Sequence, residues 1–182
     1  MSNFCNIRRK FLLGLGGAAL ACALPTPVLA SRSTTDVRKL SLYNLHTGER
    51  DVGTYWVNGD YQSQVMDGFN HLLRDHRTND VFAMDQRLYD ILFKLHMSLN
   101  TNKEIQVISG YRSLKTNAML ASKSKGVAKH SYHTRGMAID LAIPGTPLGD
   151  IRDAAKALKL GGVGFYPRSG FVHVDCGPVR SW

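Results

Sequence analysis

Two short stretches concentrate the side chains able to do chemistry. Ser131-Tyr132-His133-Thr134-Arg135-Gly136-Met137-Ala138-Ile139-Asp140 holds an imidazole and a carboxylate seven positions apart, and Phe171-Val172-His173-Val174-Asp175 holds a second imidazole and carboxylate. The period of two along a strand puts Phe171, His173 and Asp175 on one face of the second stretch. In the first, Ala138, Asp140 and Ala142 share a face, opposite an apolar Met137, Ile139, Leu141 and Ile143. A carboxylate between two small residues has room above it, and the chain can fold at Gly136 to bring His133 back toward it. Two imidazoles and one carboxylate suit zinc, held at about 2.0–2.2 Å with a fourth position left to water. The same residue types also occur as satisfied core groups, so spacing alone leaves both readings open.

The elements that must position these residues follow from periodicity. Lys39–Asn44 alternates and predicts a strand, with a turn at His46-Thr47-Gly48-Glu49 and a returning strand over 51–57. Val65, Phe69, Leu72 and Leu73 predict a helix ending near Thr78-Asn79, which would carry both His71 and His76. Asp85 is placed to cap a second helix bearing Leu88, Ile91, Leu92, Leu95 and Leu99. A buried strand, Ile105–Ser109, opens into Gly110-Tyr111-Arg112-Ser113, followed by a polar helix or turn to about Lys125. Strands over 137–143, 163–166 and 171–176 and a helix over 148–158 complete the chain. Strands and helices mix without regular βαβ alternation, which predicts an α+β fold with an antiparallel sheet and flanking helices.

The remaining candidates read as structural. His46, His71, His76 and His96 fit surface or packing roles. Gly161-Gly162-Val163-Gly164 lacks the following helix a phosphate cradle needs, and reads as a tight start to a strand. Lys123, Lys125, Lys129 and Arg135 form a basic stretch beside His133, suited equally to solvation and to attracting peptide carboxylates. Tyr132 and Tyr166 suit either a cleft wall or the core. Cys176 points away from His173 by alternation.

The 182 residues are 43% hydrophobic and 20% charged, which excludes a disordered tail or collagen-like repeat and suits one domain with a real core. The 23 Lys and Arg exceed the 14 Asp and Glu; setting aside Arg8, Arg9 and Lys10 leaves 20 cations against 14 acids, a formal +6 that favours anionic partners. Basic Ser2–Lys10, apolar Phe11–Leu24 and the small residue ending Val28-Leu29-Ala30 form the layout of a secretory signal over residues 1–30, cut after Ala30. The apolar run is too short to span a bilayer, which takes about 20 residues. Arg8-Arg9-Lys10-Phe11-Leu12-Leu13 resembles a twin-arginine signal, whose cargo is exported folded. Residues 31–38 read as a flexible arm, and 39–182 as the functional domain. Cys5 and Cys22 leave with the signal, so Cys176 has no partner for an internal disulfide.

Ser109-Gly110-Tyr111-Arg112-Ser113, the His-x-x-Gly-x-Ala-x-Asp run from His133, and His-x-Asp at His173 together resemble the M15 zinc peptidases, the D-Ala-D-Ala peptidase group whose metal-site fold is shared with hedgehog domains. The match runs from the Leu42–Glu49 segment to the Gly-Pro-x-Arg-x-Trp ending at Trp182, and over that length is similar to murein endopeptidases of the periplasm. The resemblance implies one zinc ion on His133, Asp140 and His173. It implies that Arg112 holds a substrate carboxylate or the developing oxyanion, and that Ser131 hydrogen-bonds substrate. The implied substrate is the stem peptide of peptidoglycan, cut at diaminopimelate–diaminopimelate cross-links, by a periplasmic monomer with no nucleic-acid partner and no stable membrane insertion once the signal is cut. A D-alanyl-D-alanine carboxypeptidase and a non-catalytic wall-binding zinc module are the alternatives. The chain departs from many relatives at Gly170, where they carry a Glu or Asp general base. Asp175, on the face of His173, is the first substitute; it could instead orient that histidine. His130 is the second, and a group that the sequence does not name is the remaining alternative.

Overall fold

A computed structural model describes residues 36–124 and 126–182. The expected signal, residues 31–35 of the expected arm, and Lys125 lie outside the described residues.

The chain runs β1 (Val37–Asn44), β2 (Arg50–Val57), β3 (Asp60–Tyr61), α1 (Ser63–Leu72), α2 (Gln86–Ser98), β4 (Ile105–Ser109), α3 (Leu114–Lys123), a 3-10 turn (Tyr132–Arg135), β5 (Ala138–Ala142), α4 (Leu148–Leu158), β6 (Gly162–Tyr166), β7 (Phe171–Asp175) and β8 (Arg180–Ser181). The strands form one sheet in the order β3-β2-β1-β4-β5-β7-β6-β8. The fold is α+β, as the mixed pattern predicts. Five pairings are antiparallel, but β1·β4 and β6·β8 are parallel, so the sheet is mixed. Among the described residues no helix is long and apolar enough to cross a membrane.

One face of the sheet is the core. Leu40 and Leu42 of β1, Ile105 and Val107 of β4, Ile139 and Leu141 of β5, and Val172 and Val174 of β7 cluster with Phe69, Leu92, Leu95 and Ile151 from α1, α2 and α4. Each such aliphatic or aromatic side chain contributes about 1.5–3 kcal/mol when fully buried. Asp85 caps α2 as expected, its carboxylate accepting from the Arg87 backbone N–H at 3.0 Å. β1 begins at Val37, two residues before the alternation suggests, with Arg38 tied to Asp90 at 2.8 Å.

The first helix departs from expectation. It stops at Leu72, so His76 lies beyond it and stacks on the exposed His46 ring with centroids 3.9 Å apart. Asp75 accounts for the early stop. Its buried carboxylate accepts from the backbone N–H of Arg77 at 2.9 Å and from both the backbone N–H and the hydroxyl of Ser113, at 2.9 and 2.7 Å. The same Ser113 hydroxyl caps α3 by accepting from the Thr116 N–H. A carboxylate satisfied by a residue 38 positions away outweighs the local preference for another helical turn.

Burial alone would raise the Asp75 carboxyl, yet the hydrogen bonds from Thr116, Ser113 and Arg77 win and hold it well below the usual carboxylate range. A depressed folded value adds stability above the unfolded value of about 3.9, and that stability is lost as pH falls through the folded value. Asp75→Asn should therefore destabilise the chain by about 2 kcal/mol at pH 7, with the difference shrinking below pH 4. Urea melts at pH 7 and pH 3 check this; an equal difference at both values would exclude the linkage.

Candidate metal centre

The face opposite the core becomes a site where four strands lie in register. Ser109 of β4 pairs with Asp140 of β5, Asp140 with His173 of β7, and His173 with Gly164 of β6. The next row is Ala138, Asp175 and Gly162. Small residues flank Asp140 and His173, as the alternation in β5 predicts. The third residue comes from the 3-10 turn, which Ser131 opens by accepting from the His133 N–H at 3.3 Å. Gly136 ends it at φ +65°, where a Cβ would also meet the Ala83 carbonyl at 2.7 Å. Only glycine takes that turn without strain.

His133, Asp140 and His173 are all buried, and one ligand atom from each lies within 4.8 Å of the other two. His133 Nε2 lies 3.2 Å from Asp140 Oδ1 and 3.2 Å from His173 Nδ1, and His173 Nδ1 lies 2.8 Å from the same oxygen. The other ring nitrogens fix which atoms carry hydrogen. His133 Nδ1 donates to the Gly110 carbonyl at 2.7 Å, and His173 Nε2 donates to Asp175 at 3.0 Å. Each ring therefore carries hydrogen on its outer nitrogen, and a ring in its neutral form turns a lone pair inward beside the carboxylate. A metal ion among the three, like a proton on one inner nitrogen, would satisfy the buried carboxylate. Burial pushes the Asp140 carboxyl up, but the two histidines win and hold it well below its ordinary range. Burial pushes His173 down, but its contacts with Asp140 and Asp175 win and raise it. A tetrahedral ion bound at about 2.0–2.1 Å sets its ligand atoms roughly 3.3 Å apart. The observed triangle is close to that, so the donor set fits such a metal.

The trio forms the floor of a cavity of about 660 Å³, whose walls include Arg112, His130, Ser131, Tyr166, Arg180 and Trp182. Arg112 follows β4, and its backbone N–H donates to the His133 carbonyl at 3.1 Å. Its guanidinium reaches Asn117 Oδ1 and Ser109 Oγ, both at 3.3 Å, and lies 3.7 Å from Asp140 Oδ2. The Arg112 Nε is buried with no partner. Burial pulls this guanidinium's pKa down, against the pull of Asp140.

Asp175 occupies a different position from the other candidates. It lies behind the His173 ring, on the side away from the trio, and its side chain is 0% exposed. Its oxygens accept from His173, from the Gly162 and Gly177 N–H groups, and from both ends of the Arg180 guanidinium. Gly170 sits in the β6–β7 turn at φ +76°, which explains why a side-chain base is disfavoured there. His130 is exposed on the cavity wall. Cys176 packs in the core, its thiol pushed up to about 12 by burial and the nearby Asp85. His96 is also buried, a packing residue on α2.

Sequence reasoning did not single out Arg180 or Asn117. Asn117 donates to the carbonyls of Ala128 and Lys129, tying α3 to the loop before His133 while its oxygen holds Arg112. Nor did it find the use of Gly162 and Gly164. A Cβ at Gly164 would lie 2.8 Å from the rings of both Trp182 and Tyr166. The period of two in β6 carried this signal, since both glycines fall on the face of Asp175 and His173.

Residues 32–182 match the family described as peptidoglycan L,D-endopeptidase MepK, an M15 peptidase family. The chain belongs to this family. It is 49% identical to the peptidoglycan L,D-endopeptidase MepK of Escherichia coli (strain K12), over the full length of both chains. It is 44% identical to the probable enzyme of the same description from Haemophilus influenzae, over 99% of this chain and 98% of the relative. No solved structure matches it significantly. M15 peptidases are metallopeptidases, so the chain is an enzyme of a class that uses the kind of centre its trio can form.

Proposed function

We propose that this protein is a zinc-dependent murein endopeptidase that hydrolyses peptide cross-links of peptidoglycan, of the L,D type between two diaminopimelate residues. The observation that carries the reading is the inward convergence of the His133, Asp140 and His173 donor atoms on the cavity floor. The printed descriptions of the relatives support the bond type. Export to the periplasm by the twin-arginine route, with residues 1–30 removed, is part of the same proposal.

His133, Asp140 and His173 would hold the ion. Zinc bound there would supply an electrophile for the scissile carbonyl and lower the pKa of water toward neutral pH. Arg112, with an unpartnered Nε and a loosely held guanidinium, takes up negative charge as it develops on the carbonyl oxygen. The Ser131 hydroxyl accepts from the His133 N–H, which leaves its own hydrogen for substrate. Asp175 is a positioning residue here, in place of the base suggested by its strand face, because the His173 ring stands between it and the trio. Of the two bases named from the sequence, only His130 lines the cavity; a base there would take a proton from water and return it to the leaving amine.

The test is digestion of muropeptide dimers with 3–3 cross-links, with and without a chelator. Conversion of dimers to monomers that stops with the chelator and returns with added zinc is the expected result. Release of terminal alanine alone would establish a carboxypeptidase and overturn the proposal.

A further inference from the structure

Arg180 is absent from every role assigned so far, yet it pairs with Asp175, the carboxylate that holds the outer nitrogen of His173. It stands on β8, which pairs in parallel with β6 at Gly162 and Val163. Its guanidinium fills the place a side chain at 162 would take: a Cβ there would lie 2.6 Å from Asp175 Oδ2 and 2.7 Å from Arg180 Cζ. From that slot Nη1 meets Asp175 Oδ1 at 3.0 Å and Nη2 meets Oδ2 at 2.7 Å. Oδ2 is also the atom that accepts from His173 Nε2. The same guanidinium lies 5.1 Å from the Tyr132 ring centre and 4.9 Å from that of Trp182. Tyr132 precedes His133 in the chain, and the Trp182 ring stands 5.4 Å from His173.

We propose that Arg180 is a positioning residue of the metal centre, acting on His173 through Asp175. A fully buried carboxylate is costly unless its charge is paired. A planar fork also fixes its rotation, which a single ammonium would leave free. With Asp175 fixed, the His173 ring has one tautomer and one orientation, and Nδ1 stays aimed at the trio. Gly162 is required because a side chain there would occupy the slot. The rival role is recognition of a substrate carboxylate, since 38% of the Arg180 side chain is exposed on the cavity wall.

The proposal rests on the metal reading above, and its test separates the two. Zinc affinity of Arg180→Gln, Arg180→Lys, Asp175→Asn and the double variant Asp175→Asn/Arg180→Gln is measured by competition with a chromophoric chelator. Circular dichroism checks the fold, and the visible spectrum of the cobalt-loaded forms reports the ligand field. Each single change should weaken zinc binding by about 10–100-fold, the range for groups that orient a ligand. The double variant should bind no more weakly than Asp175→Asn, because the two residues act as one unit. The cobalt spectra of both Arg180 variants should shift as that of Asp175→Asn does. Arg180→Lys keeps the charge and decides the matter if Arg180→Gln does not fold. Wild-type affinity and spectrum in the lysine variant, losses that simply multiply in the double variant, or a raised KM at unchanged zinc affinity would each overturn the proposal. A wild-type chain that binds no zinc would instead sink the metal reading itself.

Discussion

His133→Ala should leave a folded chain that neither retains a divalent ion nor cleaves a cross-link. The imidazole supplies one of three donor atoms, and two remaining ligands cannot complete the closed face a tetrahedral ion needs. The structural loss is modest. The hydrogen bond to the Gly110 carbonyl and the contacts with Asp140 and His173 disappear and a small polar-lined space opens, at a cost of about 1–3 kcal/mol against the 5–15 kcal/mol typical of a domain. The two readouts should therefore separate: a melting temperature lowered by a few degrees, with metal content and turnover at background. Elemental analysis, a thermal melt and the muropeptide assay on one preparation make the comparison. Retained turnover in this variant would remove His133 from the ligand set.

What could be read from the chain beforehand follows the range of the forces involved. The faces of β5 and β7 were legible because a period of two is a local property, and it placed Asp140 and His173 correctly on the side away from the core. The cap at Asp85 was legible because its partner is two residues away. The end of α1 was not, since Asp75 is satisfied by Ser113 across the fold and no local pattern encodes that pairing. The parallel pairing of β1 with β4 was hidden for the same reason, with two helices between the strands. At the site, the alternation that put Asp175 beside His173 gave the shared face and left open on which side of the imidazole the carboxylate would lie. That depends on Arg180 and on the space at Gly162, both visible only once β6, β7 and β8 are side by side.

Arg112→Ala should lower kcat by about 10²–10³-fold, the usual effect of removing one preorganised donor to a developing oxyanion, with KM little changed. The guanidinium is held but not saturated. Asn117 and Ser109 grip it through 3.3 Å contacts, Asp140 stands at 3.7 Å, and its buried Nε has no acceptor. An unpartnered buried N–H costs about 1–3 kcal/mol, a penalty relieved when negative charge arrives nearby. Because the reaction develops charge that the substrate lacks, that relief is greatest in the transition state, which is the condition for raising kcat. Alanine removes the unpaired donor but also gives up the contacts with Asn117 and Ser109, so a thermal melt of the same variant separates lost catalysis from lost fold. Asn117→Ala should act in the same direction more weakly, by freeing the guanidinium while keeping its charge. Steady-state kinetics on a soluble cross-linked dimer decide between this role and a binding one. A KM raised many-fold with kcat intact would mean that Arg112 anchors a substrate carboxylate present before and after the chemical step, leaving the oxyanion to the metal alone.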